Sequence, residues 1–259
     1  METTDHIDSA EIKKIKELSF DARQCMEILE ERCKTAGIVL SEIQLRQFGK
    51  YFDLLTEKNK VMNLTALISP EDVAVKHFID SLLCYDHALM QGKTLIDVGT
   101  GAGFPGIPLK IYDPSIELVL LDSLAKRLKF LQEASECLQL SGVKFEHKRA
   151  EDAGRDKKLR GRYDVVVSRA VARLSVLAEF CLPLVKKGGC FVALKGSKYK
   201  EEIEEAAKAI CILGGRMTSV KEVELPGLDD RRAIIFIQKI KETPFEYPRK
   251  AGVPGKNPL

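Results

Sequence analysis

The residues most able to do chemistry lie in one short run, Asp97-Val98-Gly99-Thr100-Gly101-Ala102-Gly103-Phe104-Pro105-Gly106. Glycines at this density let a backbone turn pass close to a bound cofactor with no Cβ in the way. A carboxylate opens the run at Asp97, and a second, Asp122, ends the next apolar segment. Asp122 is placed to accept both hydroxyls of a ribose.

Two readings of the run compete. Gly101, Gly103 and Gly106 satisfy G-x-G-x-x-G, a dinucleotide fingerprint that is weak by itself. Counted from Asp97, the same residues give D-x-G-x-G-x-G, a pattern of S-adenosylmethionine-dependent methyltransferases. Asp122 suits either. S-adenosylmethionine has no phosphate, whereas NAD needs a helix N-terminus aimed at its pyrophosphate, and Phe104-Pro105 would crowd that approach. A Walker A reading of Gly92-Lys93-Thr94 fails, because His87 stands where the loop's first glycine should be. A glycine turn without a ligand is the bland alternative.

Elements must hold this turn in place. TLIDV (94–98) and IELVLLD (116–122) read as buried strands, followed by VKFEHKRA (143–150), YDVVVS (163–168), CFVALKG (190–196) and a final AIIFIQKI (233–240). Helices fall between them. One spans about 124–140, with Leu124, Leu128 and Leu131 inward and a stop at Ser141-Gly142; another spans 200–213 and ends at Gly214-Gly215. Alternating βα units of this size predict a doubly wound, mostly parallel α/β sheet, with ligands just beyond the carboxyl ends of the strands.

The first ~90 residues read instead as helices. Ser41 and Gln44 make a capping-box pattern, and Leu45, Phe48, Phe52 and Leu55 recur as one buried stripe. Ser69-Pro70-Glu71-Asp72 starts a further helix with Ala74, Phe78, Leu82 and Tyr85 on its buried face. We divide the chain into an N-terminal helical extension (1–70) and a Rossmann-like domain (71–259) with a basic, extended Pro/Gly-rich tail.

Composition bounds the function classes. The 259 residues are 45% hydrophobic and 31% charged, which fits a globular protein rather than a disordered one. No apolar run reaches the roughly 18 residues of a membrane span, and the charged start METTDHIDSAEIKKIKEL lacks a signal peptide's apolar core. Seven scattered cysteines without a CxxC pair point to free thiols in a reducing cytoplasm. His6, His87 and His147 share no ligand spacing, so no metal is expected. Net charge is only +3, yet residues 144–173 carry 10 Lys/Arg against 5 Asp/Glu, and 231–259 carry 7 against 2, while 1–60 carry 10 against 12. Two late basic segments suit a polyanion as well as they suit a plain solvated surface.

More specific blocks run along nearly the whole chain: NLT (63–65), HFIDSL (77–82), DVGTGAGFPGIPL (97–109), LLDSLAKRLKFL (120–131), RAED (149–152), SRAVA (168–172), ALKG (193–196) and YPRKAGVPGKNPL (247–259). In these the sequence resembles the RsmG (GidB) family of bacterial small-subunit ribosomal RNA methyltransferases. The resemblance implies a class I S-adenosylmethionine methyltransferase that modifies N7 of one guanine in the decoding-region loop of 16S rRNA. Its product would be S-adenosylhomocysteine, and its partner the 16S rRNA, the small subunit or an assembly intermediate of it.

By the same resemblance Gly99, Gly101, Gly103 and Phe104 would line the methionine end of the cofactor, and Asp97 would be a further cofactor-binding residue. Asp122 would hold the ribose, Ala150 and Glu151 would meet the adenine, and Arg169 would sit between cofactor and base. N7 carries a free lone pair, so catalysis would be alignment and electrostatics, with no general base required. Arg149, Arg169 and Lys195 are the candidate catalytic and RNA-contacting cations, contacting O6 or phosphates rather than N7 itself. Asn63, His77 and Asp80 are candidates for the target-base pocket; the plainer reading makes His77 and Asp80 a hydrogen-bonded pair that fixes the helices to the sheet. An oxidoreductase and a cofactor-free RNA-binding assembly factor are the alternatives, the latter disfavoured by the intact Asp97, Gly99, Gly101, Gly103 and Asp122. A monomer is expected.

Overall fold

The computed structural model describes residues 18–169, 172–228 and 231–259. The charged start at 1–17, with His6, and Ala170-Val171 of the SRAVA block lie outside the described residues.

Seven strands form one sheet: β1 (Thr94–Val98), β2 (Glu117–Asp122), β3 (Val143–His147), β4 (Tyr163–Arg169), β5 (Val185–Lys195), β6 (Gly215–Glu224) and β7 (Arg231–Lys239). Their order is β3-β2-β1-β4-β5-β7-β6. The first five pair in parallel, while β7 runs antiparallel between β5 and β6. The order reverses between β1 and β4, which pair with Asp97 opposite Val167. A crevice must open above that switch point, at the ends of β1 and β4.

Period-two alternation sends neighbouring residues of each strand into different cores. Leu95, Leu118, Leu120, Val165 and Val167 join one cluster; Ile96, Val119, Leu121 and Val166 join the other. The first cluster is closed by helices α1 (Phe20–Thr35) and α2 (Glu42–Met62), through Leu29, Phe48, Tyr51, Phe52 and Leu55. The helical segment therefore shares a continuous core with the sheet. Ser41 and Gln44 do form the capping box of α2, and all seven cysteines are free thiols.

Helix α3 departs from expectation. It begins as predicted, with the Ser69 hydroxyl accepting from Asp72 N–H and Pro70 in the first turn. Pro70–Asp72 is α-helical, Val73–Ile79 widens into a π-helix, and Asp80–Leu82 returns to α. The wider turn leaves room for a side chain to reach in, and the Lys76 carbonyl accepts from Arg169 instead of serving the helix alone.

After a short α4 (His87–Met90), the crossovers are α5 (Gly106–Tyr112), α6 (Ala125–Cys137), α7 (Ala150–Arg155), α8 (Leu174–Cys181) and α9 (Tyr199–Ile212). Leu124, expected to face inward, instead precedes α6 as its N-cap and is 41% exposed. That helix also stops earlier than Gly142, where Gln139 takes the left-handed conformation (φ 56°). The tail folds back over α7 and α8 and ends in a short α10 (Val253–Lys256). Arg249 makes a forked ion pair with buried Glu179, and Arg155 and Arg160 donate to the carbonyls of Pro248 and Tyr247. These three arginines hold the tail in place, while most other cations of the two basic segments stay exposed.

Candidate active site

Two cavities meet above the switch point. The first, of about 580 Å³, is lined by Thr65, Gly99, Thr100, Gly101, Ala102, Phe104, Asp122, Arg149, Ala150 and Glu151, among others. The second, of about 480 Å³, is lined by Lys76, Asp80, Lys195, Lys198, Glu202 and Arg232, among others. His77 and Arg169 line both. They form the shared wall.

The glycine turn builds the floor of the first cavity. Gly99 and Gly101 have φ of 71° and 58°, values that L side chains rarely adopt. A Cβ on Gly101 would meet only the Gly99 carbonyl oxygen, at 4.0 Å, so the space beside it belongs to the cavity. Gly103 differs: a Cβ there would lie 2.8 Å from Leu131 and 2.9 Å from Ile107, so packing beneath the floor excludes a side chain. Gly103 is absent from the cavity lining. The Tyr51 hydroxyl donates to the Ala102 carbonyl and ties the turn to α2.

Asp97 is fully buried under the turn, where its Oδ2 accepts from the Thr100 hydroxyl (2.7 Å) and from Gly106 N–H (2.9 Å). Burial pushes its carboxyl up to about 6, against the pull of those donors. Its Oδ1 has no hydrogen-bond partner among the described residues. Because this carboxylate already holds the first N–H of α5, that helix start is closed to a pyrophosphate, which removes the dinucleotide reading.

Asp122 ends β2. Gly101 N–H donates to its Oδ2 at 3.0 Å and Leu124 N–H to its Oδ1 at 2.9 Å. Arg127 approaches the same Oδ2 at 3.5 Å; a carboxylate offers about four acceptor positions, so capacity is left for one ligand hydroxyl. Glu151 accepts from Gly252 N–H at 2.9 Å, which brings the tail to the cavity wall. Arg149 is exposed as the N-cap of α7, at the rim. These residues fit an adenosine-bearing cofactor without a phosphate: a backbone cradle, an open glycine face, and acids at the strand ends.

The shared wall is a network of charges. Arg169 donates to Asp80 Oδ2 (2.8 Å), to the Lys76 carbonyl (2.9 Å) and to His77 Nδ1 (3.0 Å), and it lies over the Phe104 ring at 5.0 Å. His77 stacks on Phe104, its ring 4.4 Å from that of Phe104. Desolvation, then the Arg169 charge, pushes the His77 pKa down to about 3, so the ring is neutral near pH 7. Asp80 also faces Arg232, at 3.6 Å. Lys195 is pinned by Glu202 (2.7 Å) and the Ala172 carbonyl (2.8 Å), in the second cavity only. Asn63 lines neither cavity; it caps α2 in the left-handed conformation and is exposed.

Sequence reasoning missed Tyr51, Thr65, Glu202 and Arg232. Tyr51 falls on the same helical stripe as Phe48 and Leu55, so its spacing could have revealed it. Thr65 sits inside the NLT block. Glu202 and Arg232 had no signal, since their partners are distant in sequence. Among the described residues, no group of three or more His, Cys, Asp or Glu side chains is placed to hold a metal ion. No described helix is long and apolar enough to cross a membrane.

The sheet order, the switch-point crevice and the glycine turn define a Rossmann-like class I methyltransferase. Solved structures share the fold: the cyclase SpnF (TM-score 0.50, 14% identity, 62% of this chain and 80% of that one) and YcgJ from Bacillus subtilis (TM-score 0.50, 11% identity, 64% and 100%). The family model for rRNA small subunit methyltransferase G matches residues 44–234. Proteins named ribosomal RNA small subunit methyltransferase G are 49% identical over 90% of this chain in Alkaliphilus metalliredigens and 51% identical over 90% in Alkaliphilus oremlandii, covering 98% of each relative. The chain belongs to the rRNA small subunit methyltransferase G family. It is an S-adenosylmethionine-dependent methyltransferase of small-subunit ribosomal RNA.

Proposed function

We propose that the methylated atom is N7 of a guanine in the decoding-region loop of 16S rRNA, with the cofactor in the first cavity and the base entering through the second. When bound, the cofactor supplies a methyl group on a sulfonium leaving group. Gly99, Gly101 and Phe104 face its methionine end, Asp122 its ribose, and Ala150 and Glu151 its adenine. Asp97 and Gly103 act from beneath, by shaping the turn.

The state of the shared wall carries this reading. Every titratable group on it is already engaged: His77 by Arg169 and Thr65, and Asp80 by Arg169 and Arg232. A wall with no idle base suits a nucleophile that needs no deprotonation. Guanine N7 offers its lone pair at neutral pH, whereas an exocyclic amine or a hydroxyl must lose a proton. The wall's task is alignment and a fixed electrostatic field. Arg149 at the rim and Lys195 in the second cavity serve as RNA contacts, while Asp80 acts by holding Arg169. The protein works as a cytoplasmic monomer on the small subunit or an assembly intermediate of it, where an unpaired guanine can be splayed toward the cavity.

Labelled S-adenosylmethionine and small subunits lacking the native modification test this. Borohydride reduction and aniline cleavage should give a single cut in the decoding-region loop. Label incorporated without a cut would overturn the N7 assignment.

A further inference from the structure

Leu64 and Thr65 of the Asn63-Leu64-Thr65 block reach the site, and Thr65 brings a hydroxyl to it. Thr65 lines the first cavity, and of the two partners of its hydroxyl, Leu67 lines the second and His77 lines both. It therefore stands where the cavities meet.

Its hydrogen bonding is fixed from several sides. A guanidinium can only donate, so His77 Nδ1, at 3.0 Å from an Arg169 nitrogen, must accept. The neutral ring then carries its proton on Nε2, which lies 2.9 Å from Thr65 Oγ1 and donates to it. Leu67 N–H donates to the same oxygen at 3.0 Å. A hydroxyl oxygen has two acceptor positions, and both are filled. The Thr65 backbone is held in turn by Asn59, whose amide accepts from Thr65 N–H and donates to its carbonyl, both at 2.9 Å. Among the described residues, no acceptor takes the hydroxyl proton.

We propose that the Thr65 hydroxyl is a guanine-selecting donor, presenting its proton to O6 of the target base. It discriminates by what it cannot do: with both acceptor positions filled, it cannot receive a hydrogen bond from the amino group that adenine carries at the same place. Guanine has O6 and N7 on one edge, so a donor to O6 registers N7 without touching its lone pair. This inference rests on the N7 reading above.

The test is a cycle of two changes. Thr65→Val removes the donor at similar volume, and 2-aminopurine in place of the target guanine removes O6 but keeps N7. Each change alone should lower kcat/KM about tenfold, the order expected for one lost directional hydrogen bond. Together they should lower it no further than either alone. Thr65→Ser should restore transfer to guanine, and cofactor affinity measured by calorimetry should stay within about twofold throughout.

Full transfer by Thr65→Val overturns the assignment, and so do equal losses on both bases, the mark of a purely structural role. Cofactor affinity falling in step with transfer overturns it too, since the acceptor would then lie on the cofactor. Failure of the underlying reading looks different: wild-type protein would place its methyl on an atom that gives no aniline cut.

Discussion

The two cavities that meet at Arg169 are made of different material. The floor of the first is backbone, a glycine turn held by Asp97 and Tyr51 from below and by Asp122 at the cavity wall. The second combines apolar lining from Leu67, Leu194 and Ile234 with charged side chains that bind one another: Arg169 with Asp80, and Lys195 with Glu202. A backbone floor cannot be adjusted by rotamer changes, so it suits an invariant small ligand. A wall of ion pairs can exchange partners when a polyanion arrives, which suits RNA.

Breaking the shared wall should have the largest effect. Arg169→Ala should lower kcat/KM about a hundredfold, as loss of alignment at the reacting atoms does, while cofactor affinity falls less than about tenfold. Equal losses in both measurements would assign Arg169 to the first cavity alone.

Filling the floor comes next. Gly103→Ala places a Cβ against Leu131 and Ile107 in a left-handed backbone (φ 99°), and thermal unfolding should report about 3 kcal/mol lost. Asp122→Asn should weaken cofactor binding about tenfold by calorimetry and leave transfer at saturating cofactor nearly intact. A drop in saturated transfer would mean that the floor also positions the base.

Lys195→Met should raise the KM for RNA about threefold, because its charge is already neutralised by Glu202. Smallest of all is the effect of pH between 6.5 and 8, where kcat should show no ionisation of His77. Its folded pKa, about 3, lies below its unfolded value. The stability contributed by keeping the ring neutral is full above about 6.5 and is lost as pH falls toward 3. Urea titrations down that range should follow this slope, and His77→Gln should remove it.

The parts legible in the sequence were those with local signals. The Ser41–Gln44 box, the Ser69-Pro70 start and the apolar runs of β1 to β5 and β7 follow from local pattern alone. The edge strand β6 left no such mark: nearly all of Gly215–Glu224 is exposed, so no apolar alternation announces it. The π-helical turn in α3 was equally silent, and the Arg169 that bonds its Lys76 carbonyl lies 93 residues away. Within the site, the glycine turn announced itself, but its division into cavity glycines and packing glycines did not. That division depends on which neighbour lies behind each Cα, as Tyr51 and Leu131 do behind Gly103.

The folded-back tail has a consequence for the order of synthesis. Glu151 on the cavity wall takes its backbone donor from Gly252, 101 residues later, and Glu179 waits for Arg249. A nascent chain can assemble β1 to β4 long before those partners emerge. The wall of its cofactor cavity lacks that backbone donor until translation passes residue 252.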